Sequence, residues 1–367
     1  MENLAHSLMG ATLARAGLGR RVPLGAPALV IAANLPDLDS VVRPLGSLYY
    51  FYYHRGITHA VLGIVIIGLL YALLLWLLNR RRKQPERVSF RMMLGAVYIV
   101  LGTHPLIDWT NSYGWRPYLP FSDEWIYGDL VFIVDPYIWL ILGGGVLLAA
   151  KRGRRGQIAW LSGVLLLSTL VLLHAMNDPQ AWWLPLIWFS SLLLLSGLKR
   201  YRPVWGPSVI LYSLLGLGFY WLLLAGLHYS ALSSSFPQIS TLYPQVKEEQ
   251  VSALPRLAHP FEWEIFFEDN EAVYYGRAKS FGGISLGPFL YPRNLRHPAV
   301  QAALNSCPGA LMAYFARFEY FEVSEGEEGP TVILRDARFN RGGHGGIGYL
   351  EIPLTWDLRL RHQIPCP

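Results

Sequence analysis

The chain is 367 residues long, 53% hydrophobic and only 15% charged, with 13 Trp and a formal net charge of +6. That is too apolar and charge-poor for an ordinary soluble protein of this length, so a membrane protein is expected. The positive charge does not point to nucleic acid: of the 19 Lys and Arg before residue 230, 16 fall in four inter-helix loops, the pattern of positive-inside topology rather than of a binding groove.

In chain order, two short apolar segments come first, 4–14 and 24–35. Both fall short of the ~20 residues that a spanning helix requires, and they read as short helices, tilted, re-entrant or buried. The opening residues include Glu2 and His6 and lack a basic start, so no cleavable signal is expected. Six spans follow, over 57–78, 92–107, 130–150, 158–174, 181–198 and 204–227. The second is short and carries His104 near its far end, which suits a helix packed within the bundle. The basic clusters are Arg15, Arg20 and Arg21; 80–83 with Arg87 and Arg91; 151–155; and 199–202. Placing these in the cytoplasm puts Asp37, Asp39, Asp108, Asp123, Glu124, Asp129, Asp135 and Asp178 at the outer ends, and of the ten acids before residue 230 only Glu86 lies in a basic loop.

From about residue 230 the composition changes. SALSSSFP is followed by alternating stretches such as EWEIFFE, AVYYGRA, YFARFEYFEV and TVILRDARF, separated by Gly- and Pro-rich turns, which read as antiparallel strands. The expected fold is a mainly α integral membrane helix bundle, six spans plus two short N-terminal helices, with a C-terminal mainly-β extramembrane domain. Its parts are a metal-site membrane domain over 1–150, additional spans over 151–229 and an outer β domain over 230–367. Cys307 and Cys366, both in the last part, could pair in an oxidising compartment, and the sequence leaves that open.

Six ionisable residues sit in three motifs beside apolar segments: Asp37 and Asp39 in PDLD, His54 and His59 in HRGITHA, His104 and Asp108 in THPLIDW. Such groups are costly at membrane depth and persist when paired, metal-bound or lining a wet cavity. His104 and Asp108 are spaced i, i+4, one helix face, although Pro105 is expected to set His104 at a kink or helix start. His54 and His59 are five apart, so His54 is assigned to the loop before the span and His59 to its first turn, with Gly56 as the bend. His6 falls on the same outer side, as does Asp135, whose competing role is helix capping before Pro136. Imidazole and carboxylate without thiolate suit zinc, with manganese or iron as alternatives. The number of donors allows one ion with supporting residues or two ions. The remaining histidines, His174, His228, His259, His297, His344 and His362, read as interfacial or hydrogen-bonded residues.

The order of an early His, PDLD, HRGITHA, THPLIDWTNSYG and FIVDP strongly resembles the YdjM-like family of bacterial membrane-bound metal-dependent hydrolases, over about residues 1–150. More distantly, the early His, an Asp, a His and HxxxD are similar to the zinc-dependent phospholipase C and P1 nuclease group. In that comparison His6, Asp37 or Asp39, His54 or His59, His104 and Asp108 take ligand positions, and Asp108 bridges two metals. That group's further HxxxE pair has no clear counterpart here.

These readings converge on a hydrolase of the bacterial inner membrane that uses metal-activated water at the outer face. Its substrate is expected to be a phosphoester, with membrane lipids as partners and a lipid phosphoester as the candidate substrate. Asp39 or Asp135 would accept the proton. The alternatives are a metal-binding transporter and a non-catalytic scaffold whose β domain binds a partner. The uncharged interiors of 57–78 and 204–227 favour a one-sided site over a transport path.

Overall fold

Each long apolar run becomes a helix, because a helix satisfies its own backbone groups where water does not. The computed structural model describes residues 1–82, 87–150, 153–178, 181–202 and 204–367. Lys83, Glu86, Lys151 and Arg152 of the basic loops lie outside the described residues. The helices are α1 (Asn3–Arg15), α2 (Ala26–Asn34), α3 (Ser47–Tyr53), α4 (Val61–Arg80), α5 (Phe90–Trp109), α6 (Pro136–Ala149), α7 (Arg154–Asn177), α8 (Trp183–Tyr201) and α9 (Ser208–Leu242). Two compact units divide the chain. The first comprises Met1–Asp37, Ile57–Ala225 and Arg256–Pro260; the second comprises Leu38–Gly56, Gly226–Pro255 and Phe261–Pro367.

In the first unit, α1 and α2 lie against each other because Gly10 removes the obstacle: a Cβ there would sit 2.8 Å from the Leu29 carbonyl oxygen. Ala28, Leu29, Ala32 and Ala33 of α2 share a buried cluster with Tyr71, Ala72 and Leu75 of α4 and Met93, Ala96, Val97 and Val100 of α5. Small residues on α2 let three backbones approach, and the Tyr71 hydroxyl donates to the Ala28 carbonyl at 2.8 Å. This packing carries the ends of α1, α2 and α5 to one place.

Among the described residues four helices are long and apolar enough to cross a membrane: Val61–Arg80, Phe90–Trp109, Gly156–Asn177 and Ser208–Leu242. The expected six spans are therefore not all matched. α6 has 14 residues, a length of ~21 Å against a hydrocarbon core of ~30 Å, because Asp135 and Pro136 start the helix later than the apolar run suggests. In α8, Ser190, Ser191 and Ser196 and the closing Lys199 and Arg200 dilute an otherwise apolar sequence. The last span differs in the other direction. α9 runs 35 residues to Leu242, through the Ser-rich stretch expected to end the membrane region, with Ser235 Oγ donating to the Ala231 carbonyl one turn back at 2.7 Å.

The second unit is mainly β in its C-terminal part. β1 (Ser252–Arg256), β2 (His259–Glu268), β3 (Ala272–Lys279) and β4 (Ile284–Pro292) form one sheet in that order, and β5 (Glu319–Gly326), β6 (Gly329–Asp336) and β7 (Tyr349–Pro353) form another. The β2–β3, β3–β4, β5–β6 and β6–β7 pairs are antiparallel. Between the sheets in sequence lie α10 (Pro298–Leu304) and α11 (Cys307–Phe315). Phe266, Val273, Tyr275, Phe318 and Tyr320 make an aromatic core. Cys307 and Cys366 form a disulfide. α3 belongs to this unit, where Phe51 stacks on Phe315 at 4.5 Å.

Candidate metal centre

Three local structures deliver the donors of the first unit. In α5, His104 and Asp108 lie on one face near the C-terminal end, with His104 Nε2 3.3 Å from Asp108 Oδ2. Pro105 does not place His104 at a helix start: α5 continues through both residues to Trp109. The second donor source is the segment entering α4. His59 precedes that helix rather than lying in its first turn, and its carbonyl accepts from Trp115 Nε1 at 2.8 Å. Gly63 makes this entry possible, since a Cβ there would fall 1.7 Å from the Ile57 carbonyl oxygen. Asp37 comes third, just past α2 in the 3-10 segment Pro36–Leu45.

Asp37, His59, His104 and Asp108 each direct one donor atom to a common point. The two Nε2 atoms of His59 and His104 are 3.0 Å apart. His59 Nε2 is 3.5 Å from Asp37 Oδ1 and 3.4 Å from Asp108 Oδ2, and His104 Nε2 is 3.6 Å from Asp37 Oδ1. With the 3.3 Å contact above, these five edges run from 3.0 to 3.6 Å. Ligands ~2.0–2.2 Å from a tetrahedral zinc ion stand ~3.3–3.6 Å from one another. Five of the six donor pairs are thus near such spacing, and the group could hold a metal ion.

The protonation of His104 agrees. Its Nδ1 lies 2.7 Å from the Ala33 carbonyl, which can only accept, so Nδ1 carries the hydrogen and Nε2 presents a lone pair to the centre. His59 Nδ1 is 3.0 Å from the Thr58 hydroxyl. The Asn3 side-chain amide donates to Asp37 Oδ2 at 2.7 Å, which turns Oδ1 inward.

His6 stacks on His104 with ring centroids 3.7 Å apart. Its Nε2 is 3.4 Å from Asp108 Oδ1, and neither of its buried ring nitrogens makes a hydrogen bond among the described residues. Asp108 thus turns Oδ2 to the tetrahedron and Oδ1 toward His6; the α-amino group of Met1 also donates to Oδ1.

Asp39 and His54 belong to the second unit. There Asp39 Oδ1 meets His54 Nδ1 at 2.9 Å, Oδ2 accepts from the Arg55 amide at 3.1 Å, and Tyr50 stacks on His54 at 4.5 Å. Asp135 caps α6: Oδ1 accepts from the Tyr137 and Ile138 amides at 2.8 and 3.1 Å, and Oδ2 from the Tyr220 hydroxyl at 2.9 Å.

Sequence reasoning passed over Asn3, three residues before His6, and the Ala33 carbonyl, which no side-chain motif announces. It also passed over a second His/Asp group, His174, Asp178 and His259, although His174 and Asp178 repeat the i, i+4 spacing of His104 and Asp108. There the Arg256 guanidinium sits 3.0 Å from Asp178 Oδ2 and balances the carboxylate without a metal.

Residues 1–181 match the model of the YdjM inner membrane protein family. The N-terminal part of this chain is thus similar to the YdjM inner membrane protein family. All four donors of the centre lie inside the matched region, and so do His6 and Asp135. A curated relative, uncharacterized protein YfhP of Bacillus subtilis (strain 168), is 26% identical over 137 residues, 37% of this chain and 35% of the relative. The chain therefore matches about a third of that relative's length. No solved structure matches the chain, and none of the comparisons supports the more distant likeness to the phospholipase C and P1 nuclease group.

Proposed function

We propose that this chain is a metal-dependent hydrolase of a phosphoester, embedded in the bacterial cytoplasmic membrane with its centre and its β domain on the outer side. The observation that carries the reading is the tetrahedral spacing of Asp37, His59, His104 and Asp108. A zinc-class dication there would offset both carboxylates, acidify a water and neutralise charge on phosphoryl oxygens.

The chain's own residues set the geometry of that chemistry. Ala33 fixes the tautomer of His104, Asn3 orients Asp37, and α5 holds His104 and Asp108 in register. The side chains of His59 and His104 are 0% exposed and that of Asp37 is 11% exposed, so water and substrate reach the centre past Asp37. A catalytic zinc commonly keeps one position open to water. Asp37, as the outermost donor, is the one that yields it. The oxygens of Asp135 are taken up by the α6 cap and Tyr220, so the proposal gives it no proton to accept.

The uncharged run of α4 before Arg80 argues for a one-sided centre over a transport path. The Cys307–Cys366 disulfide suits an oxidising outer compartment for the β domain. The test is release of phosphate-containing head groups, and of p-nitrophenol from bis(p-nitrophenyl) phosphate, by purified protein. Chelator should abolish both, added zinc should restore both, and His104→Ala should lack both. Equal rates in all preparations would overturn the reading.

A further inference from the structure

The first unit contains a cleft away from the metal centre. A cavity of about 600 Å³ opens among the C-terminal ends of α1, α6 and α8 and the N-terminal end of α7, lined by Arg15, Leu147, Gln157, Trp160, Leu161 and Lys199 among others. That volume is within the roughly 300–1,000 Å³ usual for small-molecule sites. A second cavity of about 190 Å³ shares Trp160 and continues between the same four helices, past Gly143, Gly144 and Gly163 to Leu4 and Leu8.

The two cavities follow the helices in step. Going from the first to the far end of the second, the lining moves from Arg15 to Leu4 on α1, from Ala150 to Trp139 on α6 and from Lys199 to Trp188 on α8. Each change is eleven residues, a rise of ~16 Å. The result is a groove along the helix axes that is cationic at one end and apolar along its length. Only 12% of the apolar stretch of α7, which lines one side of the groove, is buried.

The charges at the cationic end differ in their surroundings. Lys199 Nζ donates to the carbonyls of Leu147 at 2.8 Å and Leu148 at 3.2 Å, and to that of Ala150, closing the C-terminal end of α6. Arg15 has no ion-pair partner among the described residues. Among the described residues no carboxylate lines the cavity at this end.

We propose that this groove binds one anionic phospholipid from the leaflet facing the basic loops, with its phosphate held by Arg15 in the field of the Lys199 charge and one acyl chain along Gly143, Gly144 and Gly163 toward Leu8. Charge complementarity selects the head group, since basic pockets between membrane helices favour anionic lipid heads. The apolar length selects a lipid over free phosphate. Gly163 keeps the chain path open: a Cβ there has no atom within 4 Å, so a larger side chain would extend into open space. The site is separate from the metal donors, and neither metal nor turnover is needed to occupy it.

The experiment is native mass spectrometry of the full chain in detergent with chelator present, titrated with phosphatidylglycerol or phosphatidylcholine of matched chains. The wild type should retain one phosphatidylglycerol with a preference on the order of tenfold. Arg15→Ala should bring the two lipids close to parity, and Gly163→Leu should reduce retention of both. Thr169→Ala, on the exposed face of α7, serves as a control and should match the wild type. Equal retention of both lipids by the wild type, or an undiminished preference in Arg15→Ala, would overturn the proposal, as would displacement of the lipid by millimolar inorganic phosphate. Should Gly163→Leu fail to fold, Arg15→Ala carries the test alone.

Discussion

His104→Ala removes one vertex of the tetrahedron, and its consequences separate into a part without metal and a part with it. Without metal, the variant strips the Ala33 carbonyl of its donor and His6 of its stacking partner. An unsatisfied buried acceptor costs about 1–3 kcal/mol. With metal, removing even a residue that only supports a ligand weakens affinity about 10–100-fold, so losing a ligand should cost at least the upper end. Zinc at 100 times the wild-type Kd would stabilise the native protein by about 2.7 kcal/mol. The same concentration acting on a variant weakened about 100-fold would add only about 0.4 kcal/mol. Denaturant unfolding in mild detergent, with and without zinc, reads both parts, and elemental analysis gives the bound metal. Asp135→Ala is the matched control: it loses the α6 cap, about 1 kcal/mol, and keeps the full zinc increment. If His104→Ala showed the wild-type increment and the wild-type metal content, the tetrahedral argument would be wrong.

Three further outcomes follow from the same structure. Asn3→Ala deletes the amide that holds Asp37 Oδ2; because that hydrogen bond is exposed, zinc affinity measured by chelator competition should fall about tenfold, the low end for a supporting residue, and an unchanged affinity would refute the role. Cys307→Ser opens a cross-link spanning 59 residues and should lower the stability of the β unit by about 2–4 kcal/mol, with zinc content unaltered; an unchanged denaturation midpoint would count against the pairing. Asp269 accepts from the Glu271 and Ala272 amides, the Tyr274 hydroxyl and the Gln245 amide. Slight burial would raise its pKa, but these donors outweigh it and hold the carboxyl below its ordinary value. A depressed folded pKa gives stability that is present above the unfolded value, about 3.9, and is lost as pH falls through the folded one. Asp269→Ala should therefore show a shallower loss of stability on acidification, and parallel wild-type and variant curves would contradict this.

The sequence is most legible where one helix carries the information. The i, i+4 pair in THPLIDW survives into α5 because both residues sit on one continuous helix, and Pro105 disturbs it less than expected because only the last turn follows. Motifs that depend on chain entry are harder to read. PDLD reads as two carboxylates that can be aimed at one or two ions, and spacing alone does not say that Asp37 gathers with His59, His104 and Asp108 while Asp39 pairs with His54. HRGITHA divides in the same way between His54 and His59. The partners of Asp37 come from packing: Asn3 reaches it because α1 lies on α2 across Gly10, a contact set by a missing side chain and invisible to any spacing rule. The helix ends were misjudged for a related reason. Serines in SALSSSFP look like a break, but several bond back onto the carbonyls of α9 and remain helical.

Why these carboxylates should be tolerated in an apolar unit comes down to charge and access. Asp108 is almost wholly buried, and Asp37 is nearly so; two carboxylates this close repel and lose hydration, a cost that the α-amino group of Met1 offsets in part at Asp108 and that the imidazoles offset further only by taking up protons. A dication cancels both charges while leaving the imidazoles neutral. That is the state already prepared at His104, whose hydrogen is committed to Ala33. The same arrangement explains why the centre forms at the ends of α1, α2 and α5 rather than midway along them. Only an end can place one donor, Asp37, within reach of water while small residues keep the others dry. A wholly enclosed set of four would suit a structural ion. On the proposed function, one partly exposed carboxylate among buried ligands is what would allow a substrate oxygen to compete for its place.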